Sequence, residues 1–99
     1  MIIALDYDGT YTIAPDFWLD FIMTARQAGH RVICVTMRSM AEAELMDPRL
    51  QDIETICTNR RAKAKVAAEF GIFPHVWIDD NPAWIYCDAG DRETVSTAI

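Results

Sequence analysis

Asp6 and Asp8 stand one residue apart in the segment IALDYDGTYT, residues 3–12, with Gly9 directly behind them. Alternate side chains of an extended chain share a side, so the two carboxylates lie close together and repel. A second acidic pair, Asp79-Asp80, closes the run VWIDD. Between the two pairs stand Thr36-Met37-Arg38 and a basic stretch with Arg60, Arg61, Lys63 and Lys65. If these segments meet, four carboxylates, a hydroxyl and a lysine share one edge. Such a cluster is costly unless a cation neutralises it. Hard oxygen ligands in a partly open site suit Mg²⁺ better than zinc, which prefers His and Cys. Thr36 and Lys63 are the kinds of group that hold a phosphoryl oxygen. Gly9 gives the chain a sharp exit from a strand and leaves room for a ligand near the backbone. Around a carboxylate nucleophile, these groups form an apparatus for phosphoryl transfer through an aspartyl phosphate.

The elements that must position them follow from pattern. MIIAL is a short apolar run and predicts a buried strand. Residues 15–30 predict a helix, with Pro15 in the first turn, Asp16 at the positive end and Gly29 as the C-terminal cap. RVICVT, residues 31–36, is β-branched and predicts a second buried strand. Residues 39–46 predict a second helix capped by Ser39 and ended by Asp47-Pro48. Residues 52–58 predict a third strand, 60–71 an alanine-rich helix closed by Gly71, and 75–79 a fourth strand. Residues 83–87 are assigned to a short fifth strand, and the last dozen residues to loop and partial helix. Alternating strands and helices predict an α/β fold, a three-layer parallel sheet with helices on both faces. Ligands of such sheets bind beyond the carboxyl ends of the strands. Asp6, Asp8, Thr36, Asp79 and Asp80 all fall there.

Ninety-nine residues make one domain, 1–99, and 52% hydrophobic content is enough for a core. No apolar run approaches the roughly 18–20 residues that span a bilayer. MIIAL lacks the basic leader of a secretory signal. Cys34, Cys57 and Cys87 form no CxxC and read as reduced packing thiols, so a cytoplasmic location is expected. A net charge of −6 argues against a broad nucleic-acid surface. His30 and His75 fall at strand starts, away from the acids, and read as structural. Trp18, Trp77 and Trp84 read as core, with Trp18 and Phe17 also open to a subunit contact or substrate platform. Arg38, Arg60 and Arg61 read as surface charges before substrate ligands, although Arg38 falls close to the site.

On these residues the chain resembles the haloacid dehalogenase-like (HAD) phosphatase superfamily. LDYDGTYT resembles its first motif, DxDGT; VICVTMR resembles the second, a strand ending in Thr; Lys63 fits the third; and VWIDDNP resembles the fourth. The motifs stand in the family's order over residues 2–82, and the likeness extends to small phage and bacterial members with WIDDxP. The resemblance implies that Asp6 attacks phosphorus and becomes the aspartyl phosphate. It implies that Asp8 protonates the leaving oxygen and later deprotonates water. Mg²⁺ would be held by Asp6, the Asp8 carbonyl, and Asp79 or Asp80 or both. Thr36 and Lys63, with Gly9, Thr10 and Arg38 alongside, would hold the phosphoryl group of a phosphorylated substrate. Lys63 is preferred to Lys65, which points about 200° away around a helix. About six residues separate the first motif from its helix, and about 16 separate Thr36 from the third strand. That leaves no room for the family's cap domain. An open site suits a macromolecular phosphoester, a loosely chosen small substrate, or a homo-oligomer in which a partner serves as lid.

Two other readings share these residues. One is a non-catalytic HAD-like module that binds a phosphorylated ligand or a partner. The other is a phospho-accepting receiver, which would place its acceptor acid at the end of the third strand, where this chain has Cys57-Thr58-Asn59.

Overall fold

The computed structural model describes residues 1–90. Four short strands form the sheet: β1 (Ile2–Leu5), β2 (Arg31–Thr36), β3 (Glu54–Cys57) and β4 (Val76–Ile78). All pairings are parallel and the order is β3-β2-β1-β4. The chain builds outward from β1 to β3, then crosses back over the sheet to lay β4 on the other side of β1. The strand order therefore reverses between β1 and β4, the place where open α/β sheets open a crevice beyond their carboxyl ends.

Alternation along β1 assigns the two faces. Ile3 and Leu5 pack with Val32, Cys34, Leu50 and with Ile22 and Ala25 of helix α1 (Pro15–Gln27). Ala4 packs the other way, with Ile33, Val35, Ile56 and with Val66 and Ala67 of helix α3 (Lys63–Glu69). The sheet thus carries helices on both faces, as the run of apolar strands requires. Among the described residues no helix is long and apolar enough to cross a membrane.

Most predicted elements stand within a few residues of their expected limits. The second helix is shorter than 39–46: α2 covers Met40–Ala43 and begins with the predicted Ser39 cap, whose hydroxyl accepts from Glu42 N while Glu42 accepts from Ser39 N. The third helix starts later than residue 60, because Asn59 and Arg60 adopt left-handed backbone with φ of 52° and 68°. The fifth strand is not formed. Residues Ala83–Tyr86 make a one-turn helix, α4, that packs on α3. A short apolar run fits strand and helix alike; here Pro82 is already in the helical region, and Ile85 N bonds back to Pro82 O. The expectations for residues 91–99 lie outside the described residues.

A pair of tyrosines braces the loop after β1. Tyr7 and Tyr11 stack with ring centroids 5.4 Å apart. Tyr11 is fully buried and donates to Asp47 Oδ2 at 2.7 Å, while Asp47 N donates to Tyr7 OH at 2.8 Å. Burial and the Asp47 carboxylate both push the Tyr11 phenol above its usual value, so it remains a donor. Arg49 also holds Asp47, through Nη2 at 2.8 Å, and keeps its carboxyl well below the usual range. At the opposite edge of the sheet, His30 Nδ1 meets the N-terminal amine at 2.8 Å and His75 Nδ1 accepts from Ile2 N at 2.9 Å. Both are structural, as expected. Tyr11→Phe should remove one buried hydrogen bond and lower unfolding stability by about 1 kcal/mol, read by urea denaturation.

Candidate functional site

The site forms where β1 and β4 run out. The ladder continues one residue past β1, with Asp6 N donating to Ile78 O at 2.9 Å, so Asp6 and the residues after Ile78 sit side by side. The chain then turns tightly: Tyr11 N bonds back to Asp6 O, and Thr10 N and Thr12 N to Tyr7 O. The turn folds Thr10 under Asp6. Its hydroxyl donates to Asp6 Oδ2 at 3.0 Å, has Asp80 Oδ1 at 3.4 Å as a second acceptor, and accepts from Asp80 N at 3.2 Å. One threonine therefore ties the two acidic segments together.

Lys63 opens α3 and reaches across the sheet end. Its ammonium lies 2.6 Å from Asp6 Oδ1 and 2.6 Å from Asp79 Oδ2. The three side chains are 1%, 7% and 3% exposed, so this is a buried ion-pair bridge between α3, β1 and β4. Asp79 Oδ1 also accepts from Asn81 N at 2.9 Å, which turns the chain towards α4. Ligand oxygens of Asp6, Asp79 and Asp80 lie within 4.8 Å of one another. Two carboxylates share the Lys63 ammonium and the exposed Asp80 adds a third beside them, an excess of negative charge that a divalent cation would balance.

The donor set is all oxygen. Cys34 lies near Asp6, but burial, aided by the negative charge of Asp6, pushes its thiol up to about 12. It stays protonated and offers no soft ligand. Burial also dominates at Asp6 itself, raising its carboxyl to about 7 against the opposing pull of Lys63.

The structure separates the two aspartates of the opening motif. Asp8 is outside the acidic group: it is half-exposed and held by Arg38, whose Nε and Nη2 donate to its two oxygens at 2.9 and 2.8 Å. Arg38 lies over the Tyr7 ring at 5.1 Å and donates to Glu42 O at 2.9 Å. Thr36 is 1% exposed at the end of β2, and its Oγ1 accepts from Arg38 N at 3.2 Å. Among the described residues its own proton has no acceptor. The hydroxyl between the acids is that of Thr10 rather than Thr36. The Arg38–Asp8 pair escaped the sequence reading, which had only the two opposite charges 30 residues apart to go on. A hydroxyl four residues after Asp6 in a glycine turn was the visible sign of the Thr10 bridge.

Gly9 is required by contact as well as by conformation. It sits at φ +85°, and a Cβ there would lie 2.4 Å from Asp80 Oδ2. No family model, no curated protein and no solved structure matches the chain.

Gly9→Ala should therefore cost about 1–3 kcal/mol in denaturant unfolding, since the left-handed strain adds to the clash with Asp80. Lys63→Met should cost about 3 kcal/mol or more at pH 8, because it strands buried carboxylates. The loss should shrink at pH 5. A carboxyl raised in the folded state contributes most at low pH, and that contribution disappears as pH rises from its unfolded value near 4 through about 7. Equal losses at both pH values would show that the Lys63 charge is not what Asp6 needs.

Proposed function

We propose that this chain is a Mg²⁺-dependent phosphomonoester hydrolase of the HAD-like type, without a cap domain. The observation that carries the reading is the group of Asp6, Asp79 and Asp80 at the carboxyl ends of β1 and β4, graded from buried Asp6 to exposed Asp80, with the Lys63 ammonium bridging the first two. An ordinary structural ion pair does not need further acids at its mouth, and a buried charge bridge that opens onto an exposed carboxylate favours a site over a stability device. The missing cap is supported by the segments where one would be inserted. Residues 11–14 make a single 3-10 turn before α1, and residues 39–53 hold only α2 and a second 3-10 turn.

The group fits Mg²⁺: its ligands are carboxylate oxygens, its charge excess suits a divalent ion, and no thiolate is on offer. Asp6, Asp79 and Asp80 would hold it. When bound, it would neutralise the phosphoryl oxygens and the developing charge on them.

In the first step a carboxylate oxygen of Asp6 attacks phosphorus and the bond from phosphorus to the ester oxygen breaks. Protonated Asp8 gives its proton to that oxygen, which leaves as the alcohol. In the second step Asp8 takes a proton from water while the water oxygen attacks phosphorus. The bond between phosphorus and Asp6 breaks, releasing inorganic phosphate and restoring Asp6. Lys63 and Thr36 hold the phosphoryl oxygens, Lys63 by its charge and Thr36 by its uncommitted proton. Arg38 holds Asp8 in reach of the leaving side and must share or release it as the proton moves.

Phosphate release from an aryl phosphate should require Mg²⁺ and should fall at least about 1000-fold in Asp6→Asn, which loses the nucleophile. Wild-type turnover in the variant would remove Asp6 from the chemistry. Asp8→Asn should lower kcat by roughly 100-fold or more, the usual contribution of a general acid–base group. Mg²⁺ competes with the Asp6 proton, so its apparent affinity should rise from pH 6 to pH 8. Titration calorimetry at the two pH values checks the sign.

A further inference from the structure

Arg38 holds Asp8, and something must hold Arg38. The Asp8 side chain is half-exposed and takes its direction from two Arg38 donors, at 2.9 and 2.8 Å. An arginine side chain has much rotamer freedom of its own, and an exposed ion pair by itself restrains it little. Two further contacts remove that freedom. Nη1 donates to Glu42 O at 2.9 Å, and the guanidinium carbon lies over the Tyr7 ring, 5.1 Å from its centroid.

Tyr7 is fixed on its other sides. It is 6% exposed and stacks on Tyr11, with centroids 5.4 Å apart and planes 17° from parallel. Its hydroxyl accepts from Asp47 N at 2.8 Å, and its carbonyl accepts from Thr10 N and Thr12 N. A flat aromatic face attracts a guanidinium and matches its plane. The ring is therefore a floor on which Arg38 rests with its fork directed at Asp8. Asp8 and Arg38 also line a cavity of about 430 Å³, within the range of small-molecule sites. In the proposed reaction, on which this inference rests, Asp8 gives its proton to the leaving oxygen. A proton donor must come within about 2.6–3.2 Å of its target. A misplacement of about 1 Å can cost roughly 100-fold in rate.

We infer that Tyr7 is a positioning residue for Asp8: its ring carries Arg38, and the Arg38 fork aims the Asp8 carboxyl at the leaving oxygen. Tyr7 itself touches no reacting atom. Its effect passes through Arg38 and falls on the step in which Asp8 gives up its proton. Esters whose alcohol leaves poorly without a proton feel it most.

Phenyl phosphate and 4-nitrophenyl phosphate separate this role from a structural one. The nitro group stabilises the departing phenolate, so the second ester needs the proton far less. Arg38→Met should lower kcat/KM for phenyl phosphate roughly tenfold more than for 4-nitrophenyl phosphate, and Tyr7→Leu should do the same. Tyr7→Phe keeps the aromatic face and removes only the hydroxyl, so the ratio of the two esters should stay within about twofold of wild type. A general loss of folding or of phosphoryl binding lowers both esters together and leaves their ratio as it was. An unchanged ratio in Arg38→Met or Tyr7→Leu, or a comparable fall in Tyr7→Phe, overturns the role of Tyr7 while leaving the hydrolase reading intact. If Tyr7→Leu does not fold, or if neither ester is hydrolysed, the nuclear magnetic resonance of the Arg38 Nε–H decides. Over an aromatic ring the ring current displaces that signal from its position in a solvated arginine, and Tyr7→Phe should keep the displacement. A displaced signal sustains the brace that holds Asp8, even where the hydrolase reading fails. A signal at the solvated position in the wild type overturns it.

Discussion

The bridge from the Lys63 ammonium to Asp6 and Asp79 is the constraint around which the molecule is arranged. It joins the first residue of α3 to the ends of two neighbouring strands, all in a region closed to solvent. Buried ions lose their hydration, and attraction between them only partly offsets that loss. The bridge is therefore a poor source of stability, and it demands that every neighbouring group be placed to suit it. Thr10 donates to one acid and receives from the backbone of another, Asn81 N saturates Asp79, and Gly9 leaves the space that Asp80 occupies. One ammonium does not balance three carboxylates, and these acids are close enough together to hold a metal ion.

Stability has other sources. The two apolar clusters on either face of the sheet bury the strand side chains that alternate away from each other. Burial of this kind is the main favourable term in folding. The tyrosine stack and the Asp47 cap extend the first cluster to the loop that carries Asp8 and Gly9, so the loop is held from beneath by packing and from above by ions. A rigid loop is what a site needs if two carboxylates a residue apart are to have different surroundings.

Those surroundings set Asp6 and Asp8 apart. Asp6 is buried with Lys63 and held high in its titration by desolvation. Asp8 is at the surface and paired with Arg38, at the mouth of a cavity. In the proposed reaction, a nucleophile held beside an ammonium and an acid–base group facing the leaving side would be arranged in this way.

Much of this was legible in the residues. The four strands and the helices α1, α2 and α3 follow from apolar runs, caps and glycines, which act over a few residues and leave a local mark. Asp6, Asp79 and Asp80 fall at strand ends, and Lys63 in a first turn, so their meeting follows once the sheet is parallel. What the residues did not reveal depends on distances through space. AWIY is apolar enough for a strand or a helix, and its packing on α3 decided for the helix. The delayed start of α3 depends on two successive left-handed residues, of which Asn59 is of a type that favours that shape and Arg60 is not. The departure of Asp8 towards Arg38, and the choice of Thr10 over Thr36 as the linking hydroxyl, depend on how the chain turns after β1 and on β4 lying beside it. By itself the sequence determined which groups reach the carboxyl edge of the sheet, because alternation and periodicity are properties of neighbouring residues. Only the tertiary structure decided which of them touch, because hydrogen bonds and ion pairs act over about 3 Å and side-chain direction beyond a strand end is set by the turn that follows.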